Sequence, residues 1–143
     1  MTDLLDINVW LALADANHPH FDAAQHFWHN QAADEVAFCR VTSLGFLRLC
    51  TQPGVLSRCL SPSEAWKAYQ DFLAVPGICF LPEALETEIR FQSFSDLPDF
   101  RPRRWTDAYL AAFAHTSGAR LVSFDGDFHT FTGLAFLHLT IDS

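Results

Sequence analysis

The sequence predicts an α/β three-layer sandwich, with a mostly parallel central sheet flanked by helices, formed as a single domain over residues 1–143. Three observations predict it. Short apolar runs alternate with longer segments of helical spacing, the pattern of strands linked by helical crossovers. Half of the chain is apolar and 18% is charged, enough to bury a full core and incompatible with disorder. No internal repeat, linker or low-complexity stretch divides it.

Residues 2–6 read as the first strand, and Asn8 to Asp15 as a short helix carrying Val9, Leu11, Ala12 and Leu13. Phe21 to Asn30 is a second helix, with Phe21, Ala24, Phe27 and Trp28 at helical spacing. His18-Pro19-His20 is the turn before it, because proline disfavours helix at the residue it follows. Val36 to Cys39 is a strand, and Val41 to Thr51 a helix ended by Pro53-Gly54. Ser61-Pro62-Ser63-Glu64 is a strong helix start: Ser61 can cap, Pro62 suits the first helical position, and Glu64 can reach back to the cap. This helix shows Ala65, Trp66, Tyr69, Phe72 and Leu73 on one face and stops near Pro76-Gly77. Ile78 to Leu81 is the next strand, followed by a helix near Ala84 to Phe91 and an irregular loop from Ser93 to Arg103. Thr106 caps a helix that runs to Ser117 and is ended by Gly118. Arg120 to Phe124 and Phe136 to Leu139 complete the strands.

Composition narrows the function. No apolar run approaches the roughly 20 residues a membrane helix needs, and the amino terminus shows no signal-peptide pattern, so a cytoplasmic protein is expected. Net charge is −8 with only 9 Lys plus Arg, which argues against a protein that coats nucleic acid. It leaves open an enzyme that holds a phosphodiester through metal ions. Cys39, Cys50, Cys59 and Cys79 form no C-x-x-C pair, so free buried thiols are expected rather than zinc ligands. His26 and His29 lie three apart without a Cys or further His in reach, and Asp125-x-Asp127-x-His129 lacks the glycine and closing Glu of a calcium loop.

The chemistry lies in the acids. Leu4-Leu5-Asp6 and Leu121-Val122-Ser123-Phe124-Asp125-Gly126-Asp127 each end an apolar strand in carboxylate. In an open parallel sheet, sites form beyond the carboxyl ends of the strands. Asp107 lies in the first turn of a helix that can start at the same edge. Each acid also has an ordinary role open to it: Asp6 as a helix cap, Asp107 as a helix-start charge, Asp125-Gly126-Asp127 as turn chemistry. Convergence of three segments on one edge favours a shared cation site. An oxygen-only donor set suits Mg²⁺ or Mn²⁺ rather than zinc, and such ions activate water and stabilise a phosphodiester leaving group. No Ser or Cys nucleophile has a base beside it, and no glycine-rich phosphate loop occurs. An aspartyl-nucleophile phosphatase would need a second Asp two residues after Asp6, where Asn8 stands.

These segments, together with the His18-Pro19-His20 turn, Val41-Thr42-Ser43-Leu44-Gly45-Phe46-Leu47-Arg48 and Thr106-Asp107-Ala108-Tyr109-Leu110-Ala111, resemble the PIN-domain family, and within it the VapC-type toxins of bacterial toxin–antitoxin pairs. The resemblance runs over most of the chain. It implies a PIN-like fold and a Mg²⁺- or Mn²⁺-dependent endoribonuclease that cleaves structured RNA such as tRNA and inhibits translation. It implies a homodimer, neutralised by a small cognate VapB-like antitoxin that also binds DNA. Asp6, Asp107 and Asp125 match the family's metal-binding acids, Asp127 a frequent extra one, and Asn8 a position that orients the first Asp; Ser123 is read as a further supporting residue. One departure stands out. The family places a Glu on the third helix, whereas Cys39 to Ser63 contains no acid, and Ser43 or Gly45 stands at that position. The hydroxyls of Thr42 or Ser43 could act there through water, or activity is reduced. The alternative function is therefore a catalytically weakened PIN-like module acting by RNA or protein binding.

Arg101, Arg103 and Arg104 form the densest basic cluster, directly before Asp107. They are expected to meet RNA phosphates at the mouth of the site, against the ordinary alternative of a solvated loop. Arg48 is expected either to pair with a site acid or to contact RNA.

Overall fold

A computed structural model describes residues 1–141. It contains strands β1 (Thr2–Leu5), β2 (Glu35–Phe38), β3 (Ile78–Phe80), β4 (Arg120–Ser123) and β5 (Phe136–His138). Its α-helices are α1 (Ile7–Ala14), α2 (Phe21–Asn30), α3 (Arg40–Cys50), α4 (Pro62–Leu73), α5 (Thr87–Ser95) and α6 (Trp105–Ser117). The strands form one sheet in the order β3-β2-β1-β4-β5, and all four neighbouring pairs are parallel.

Strand side chains alternate between two cores. Leu4, Ala37 and Leu121 pack with Leu110, Phe113 and Phe128 on the face covered by α5 and α6. Leu5, Val36, Phe38 and Val122 pack with Trp10, Phe27, Phe46 and Tyr69 on the face covered by α1 to α4. Because successive strand residues point to opposite faces, strands that are apolar throughout require cover on both sides, and the three-layer arrangement follows.

The order β3-β2-β1-β4-β5 places the reversal of winding between β1 and β4, the topological switch point of the sheet. Leu5 pairs with Val122 in register there, and Asp6 N donates to Val122 O at 2.9 Å. The residues after β1 and β4 therefore emerge side by side. The start of α1 is anchored by Trp10, fully buried and stacked on Phe38 with ring centroids 3.8 Å apart.

The strong local signals behave as the sequence predicts. Ser61 Oγ accepts from Glu64 N at 3.1 Å while Glu64 Oε1 accepts from Ser61 N at 2.9 Å, the reciprocal cap that starts α4. Gly118 ends α6 with φ +68°, a left-handed conformation that a glycine adopts without steric cost. Most other boundaries shift by one residue. Two helices move further. The helix expected near Ala84 to Phe91 is instead Thr87–Ser95. Buried Thr87 docks on α6 through a 2.8 Å bond between its Oγ1 and that of Thr116, and Phe94 packs on Phe131 and His115, so tertiary contacts draw the helix past Phe91. The helix expected to be capped by Thr106 begins at Trp105, continuing a 3-10 turn, Pro102–Arg104, that starts in the expected loop and runs one residue past it. The cysteines are free, as expected, but only Cys39 and Cys50 are buried; Cys79 is half-buried and Cys59 exposed, on the 51–61 connection. Among the described residues no helix is long and apolar enough to cross a membrane.

Candidate metal and active site

Asp6 is the first residue past β1 and the cap of α1. Its Oδ1 accepts from Ile7 N at 2.7 Å, so the ordinary capping role is present. Its Oδ2 accepts from Ser123 Oγ at 2.7 Å, the last residue of β4. Burial pushes the Asp6 carboxyl up to about 6; Asp107 and Asp125 push in the same direction, against the lowering effect of the Ser123 and Ile7 hydrogen bonds.

Asp107 occupies the first turn of α6. Its carboxyl is also raised, first by burial and then by Asp125, with Asp127 adding to the push and Arg104 opposing it. Asp125 starts a second 3-10 turn, Gly126–Thr130, and its Oδ1 accepts from Asp127 N at 2.9 Å. The acids thus come from three segments, at the end of β1, the start of α6 and the turn after β4, and feel one another's charge. Asp127 lies at the rim, with 51% of its side chain exposed.

Ser123 is fully buried and joins the end of β1 and the start of α1 to the turn after β4. Its Oγ accepts from Asn8 Nδ2 at 3.2 Å and from Asp125 N at 2.9 Å. Asn8 Oδ1 accepts from Phe124 N at 3.4 Å. Asn8 therefore reaches Asp6 through the serine hydroxyl rather than by direct contact.

The Thr42 and Ser43 hydroxyls both bond within the start of α3. Thr42 Oγ1 accepts from Cys39 N at 2.9 Å and donates to Cys39 O at 3.1 Å; its hydroxyl is committed to the start of α3 and is not directed at the acids. Ser43 Oγ donates to Arg40 O at 3.0 Å and accepts from Arg40 Nη1 at 3.3 Å. At Gly45 a Cβ would lie 2.2 Å from Ile7 Cδ1, so a side chain there would have to displace Ile7. Ser43 is buried in the first turn of α3, at the carboxyl edge of β2.

The arginines divide. Arg48 is exposed on α3, and among the described residues no ion pair joins it to a site acid; the expected pairing with an acid is not formed, since the side chain points to solvent. Arg101 and Arg103 are exposed, and Arg103 Nη1 lies 3.8 Å from Asp127 Oδ2. Arg104 turns inward, with 15% of its side chain exposed, and its Nε donates to Asp107 Oδ2 at 3.1 Å. It is part of the site's internal bonding rather than its open mouth.

Sequence reasoning passed over one contributor. His138 Nε2 donates to Phe124 O at 3.1 Å, and its ring lies so close to Gly126 that a Cβ there would come within 2.9 Å of His138 Cε1. The histidine backs the Asp125-Gly126-Asp127 turn from β5. Only the proximity of Gly126 to an acid pair hinted at such crowding.

Among the described residues no three His, Cys, Asp or Glu side chains form a ready-made ligand cage. The donors offered are carboxylate oxygens alone, near enough to influence one another's ionisation, with Asp6 held largely desolvated. That fits a hard cation retaining part of its water shell and does not fit a closed zinc site.

The PIN-domain family model matches residues 4–134. The chain belongs to the PIN-domain family. Among characterised relatives of this PIN domain, it is 39% identical over 139 residues to Ribonuclease VapC41 of Mycobacterium tuberculosis, covering 92% of this chain and 94% of that one. Among solved structures, it matches M. tuberculosis VapC20, described as a sarcin–ricin-loop-cleaving toxin, with TM-score 0.70 and 18% identity over 92% of this chain and 95% of that one. It also matches VapBC2 of Rickettsia felis bound to a promoter DNA fragment, with TM-score 0.66 and 11% identity over 98% of this chain and 100% of that one. At these identities the structural matches speak for the fold.

Proposed function

We propose that this PIN domain is an endoribonuclease of the VapC type, the toxin of a toxin–antitoxin pair, and that it uses Mg²⁺ or Mn²⁺. The observation that carries the reading is the meeting of Asp6, Asp107 and Asp125 at the β1/β4 switch point, with burial and mutual repulsion holding Asp6 near 6. Such a set of carboxylates is costly without a cation. Asp6, Asp107 and Asp125 would hold the metal, with Asp127 at the rim as a further oxygen donor. Bound there, the metal supplies an activated water and neutralises charge on the phosphodiester. Ser123 and Asn8 orient Asp6. Exposed Arg101 and Arg103 are suited to RNA phosphates, and Arg48 offers a further cation on α3.

The substrate is a structured RNA such as tRNA, whose cleavage would inhibit translation. The partner is a small VapB-like, DNA-binding antitoxin, and the toxin acts as a homodimer in the cytoplasm. The 39% identity to Ribonuclease VapC41 supports the ribonuclease assignment, and the toxin–antitoxin complex among the fold matches supports the pairing. The test is cleavage of purified structured RNAs, tRNA included, with Mn²⁺ and with chelator. Asp6→Asn and Asp107→Asn are expected to abolish cleavage, and co-expression of the neighbouring antitoxin to relieve growth arrest. Absence of metal-dependent cleavage by the unmodified chain would refute the assignment.

A second reading is favoured by one observation, the acid-free α3, in which the buried Ser43 hydroxyl is bonded to Arg40. In that reading the chain binds RNA or a protein partner with weakened catalysis. It predicts partner binding that survives Asp107→Asn. Tight Mn²⁺ binding that this substitution removes would count against it.

A further inference from the structure

Arg104 is the most heavily engaged cation at the site. Nε donates to Asp107 Oδ2 at 3.1 Å. Nη2 donates to the Asp127 carbonyl at 3.1 Å and approaches Thr130 Oγ1 at 3.5 Å. The guanidinium carbon lies 5.1 Å from the centroid of the Phe131 ring, and Phe131 is itself 5% exposed and packed on Phe94 and Phe128. One side chain therefore links the first turn of α6 to the Gly126–Thr130 turn, two elements that are remote in sequence and each carry site acids. Its neighbour Arg103 has 68% of its side chain exposed and no comparable set of partners.

The arrangement differs from that of a phosphate contact. A guanidinium that meets RNA must present free donors to solvent, whereas Nε and Nη2 of Arg104 are already committed to the protein. It also differs from a plain counter-ion, because two of its bonds go to a carbonyl and a hydroxyl. A planar fork with fixed donor directions can hold two elements at a set separation and stack on an aromatic ring at once; a lysine ammonium is a compact charge on a flexible stem and lacks that fixed geometry.

We propose that Arg104 is a positioning residue: it holds Asp107 by one carboxylate oxygen and the Gly126–Thr130 turn by the Asp127 carbonyl, so that Asp107 and Asp125 present their remaining oxygens to one cation at a fixed separation. This rests on the reading of Asp6, Asp107 and Asp125 as metal-binding acids. Groups that orient metal ligands in this way cost about 10- to 100-fold in metal affinity when removed.

The experiment compares the unmodified chain with Arg104→Met and Arg104→Lys by three measurements: Mn²⁺ titration calorimetry, cleavage kinetics, and amide hydrogen exchange. In Arg104→Met the amides of Asp127 and Phe131, which bond to Asp125 Oδ1 and Phe128 O, are expected to exchange faster while those of β4 are unchanged. Mn²⁺ affinity is expected to fall about tenfold or more, and kcat to fall with little change in KM for RNA. Arg104→Lys keeps the charge and the aliphatic stem, so it serves if Arg104→Met folds poorly; it is expected to restore neither affinity nor exchange protection. Unchanged exchange in the turn overturns the proposal, as does wild-type Mn²⁺ affinity in Arg104→Lys. Tighter Mn²⁺ binding in Arg104→Met would make Arg104 a mere competing cation. A raised KM with a shallower salt dependence and unchanged kcat would make it a phosphate contact. If the unmodified chain itself binds no Mn²⁺, the metal reading falls, and this proposal with it, before any substitution is made.

Discussion

Ser123 Oγ donates to Asp6 Oδ2 across a separation of 117 residues. Asn8 Nδ2 and Asp125 N both aim their hydrogens at the same oxygen, and the single hydroxyl hydrogen goes to Asp6 Oδ2 at 2.7 Å in preference to Asn8 Oδ1 at 3.5 Å. The serine therefore reads out the geometry of β1, α1 and the turn after β4 in a single donor. It stabilises the ionised form of a carboxylate that burial otherwise disfavours.

Ser123→Ala tests that link. It removes the donor to Asp6 and leaves Asn8 Nδ2 and Asp125 N without their acceptor. A loss of about 1–3 kcal/mol in unfolding free energy is expected. Mn²⁺ affinity is expected to fall about tenfold or more, as for other groups that orient metal-binding carboxylates. Calorimetry on the folded variant measures this, and an unchanged affinity would remove Ser123 from the site.

The metal-free protein should have an unusual pH profile. The Asp6 carboxyl is raised from 3.8 to about 6 in the fold, so the folded state takes up a proton that the unfolded chain does not yet bind. Stability of the chelator-treated protein is therefore expected to rise as pH falls from 7 toward 5, by about 1–2 kcal/mol. The gain is complete only once pH is below the unfolded value. Asp107 is shifted in the same direction, so the diagnostic is the difference made by Asp6→Asn, which should flatten the slope. Urea unfolding across this range checks it; identical slopes in the two proteins would contradict the raised Asp6 carboxyl.

At the opposite, amino-terminal edge of the sheet, Asp3 is fully buried. It accepts from Arg120 Nε at 2.8 Å, from Arg120 Nη2 at 2.9 Å and from Ala33 N at 2.9 Å. Arg120→Met would leave that carboxylate buried with one donor, and a loss of about 3–5 kcal/mol is expected. Mn²⁺ affinity should be unchanged in protein that remains folded, because the pair braces β1 against β4 without touching the acids. Chemical denaturation with parallel calorimetry separates the two effects. A loss of metal affinity in folded Arg120→Met would show that this edge is coupled to the site.

How much of this was legible in the sequence follows from whether the signal is local. The alternation of strands and helices, the Ser61–Glu64 cap and the Gly118 stop depend on neighbours in the chain, and each stands where expected. The acids at the strand ends were legible for the same reason, since an apolar run that ends in Asp marks a sheet edge. What was not legible depends on tertiary partners. Thr87 and Phe94 displace α5 through contacts with Thr116, His115 and Phe131. Asp3 meets Arg120 only because β1 and β4 are adjacent. Arg104 looked like its exposed neighbours Arg101 and Arg103, and only the fold of the Gly126–Thr130 turn gives it inward partners.

The acid-free α3 permits a test by gain rather than loss. A side chain at Gly45 would have to displace Ile7, so Ser43 is the position at which a carboxylate is more readily added. Ser43→Glu would add a buried charge at the edge where Asp6 is already hard to ionise. The metal-free variant is therefore expected to be less stable than the unmodified chain. A cation that binds only the folded state stabilises it in proportion to its affinity, so the rise in thermal midpoint on adding Mn²⁺ should be larger in Ser43→Glu than in the unmodified protein. Arg40 is the competing outcome. Its Nη1 already lies 3.3 Å from Ser43 Oγ, and a Glu drawn onto that guanidinium would leave the Mn²⁺-induced shift no larger than before. Thermal melts of both proteins with and without Mn²⁺ distinguish the cases. An unchanged shift would mean that a carboxylate at residue 43 is held by Arg40 or adds nothing to metal binding.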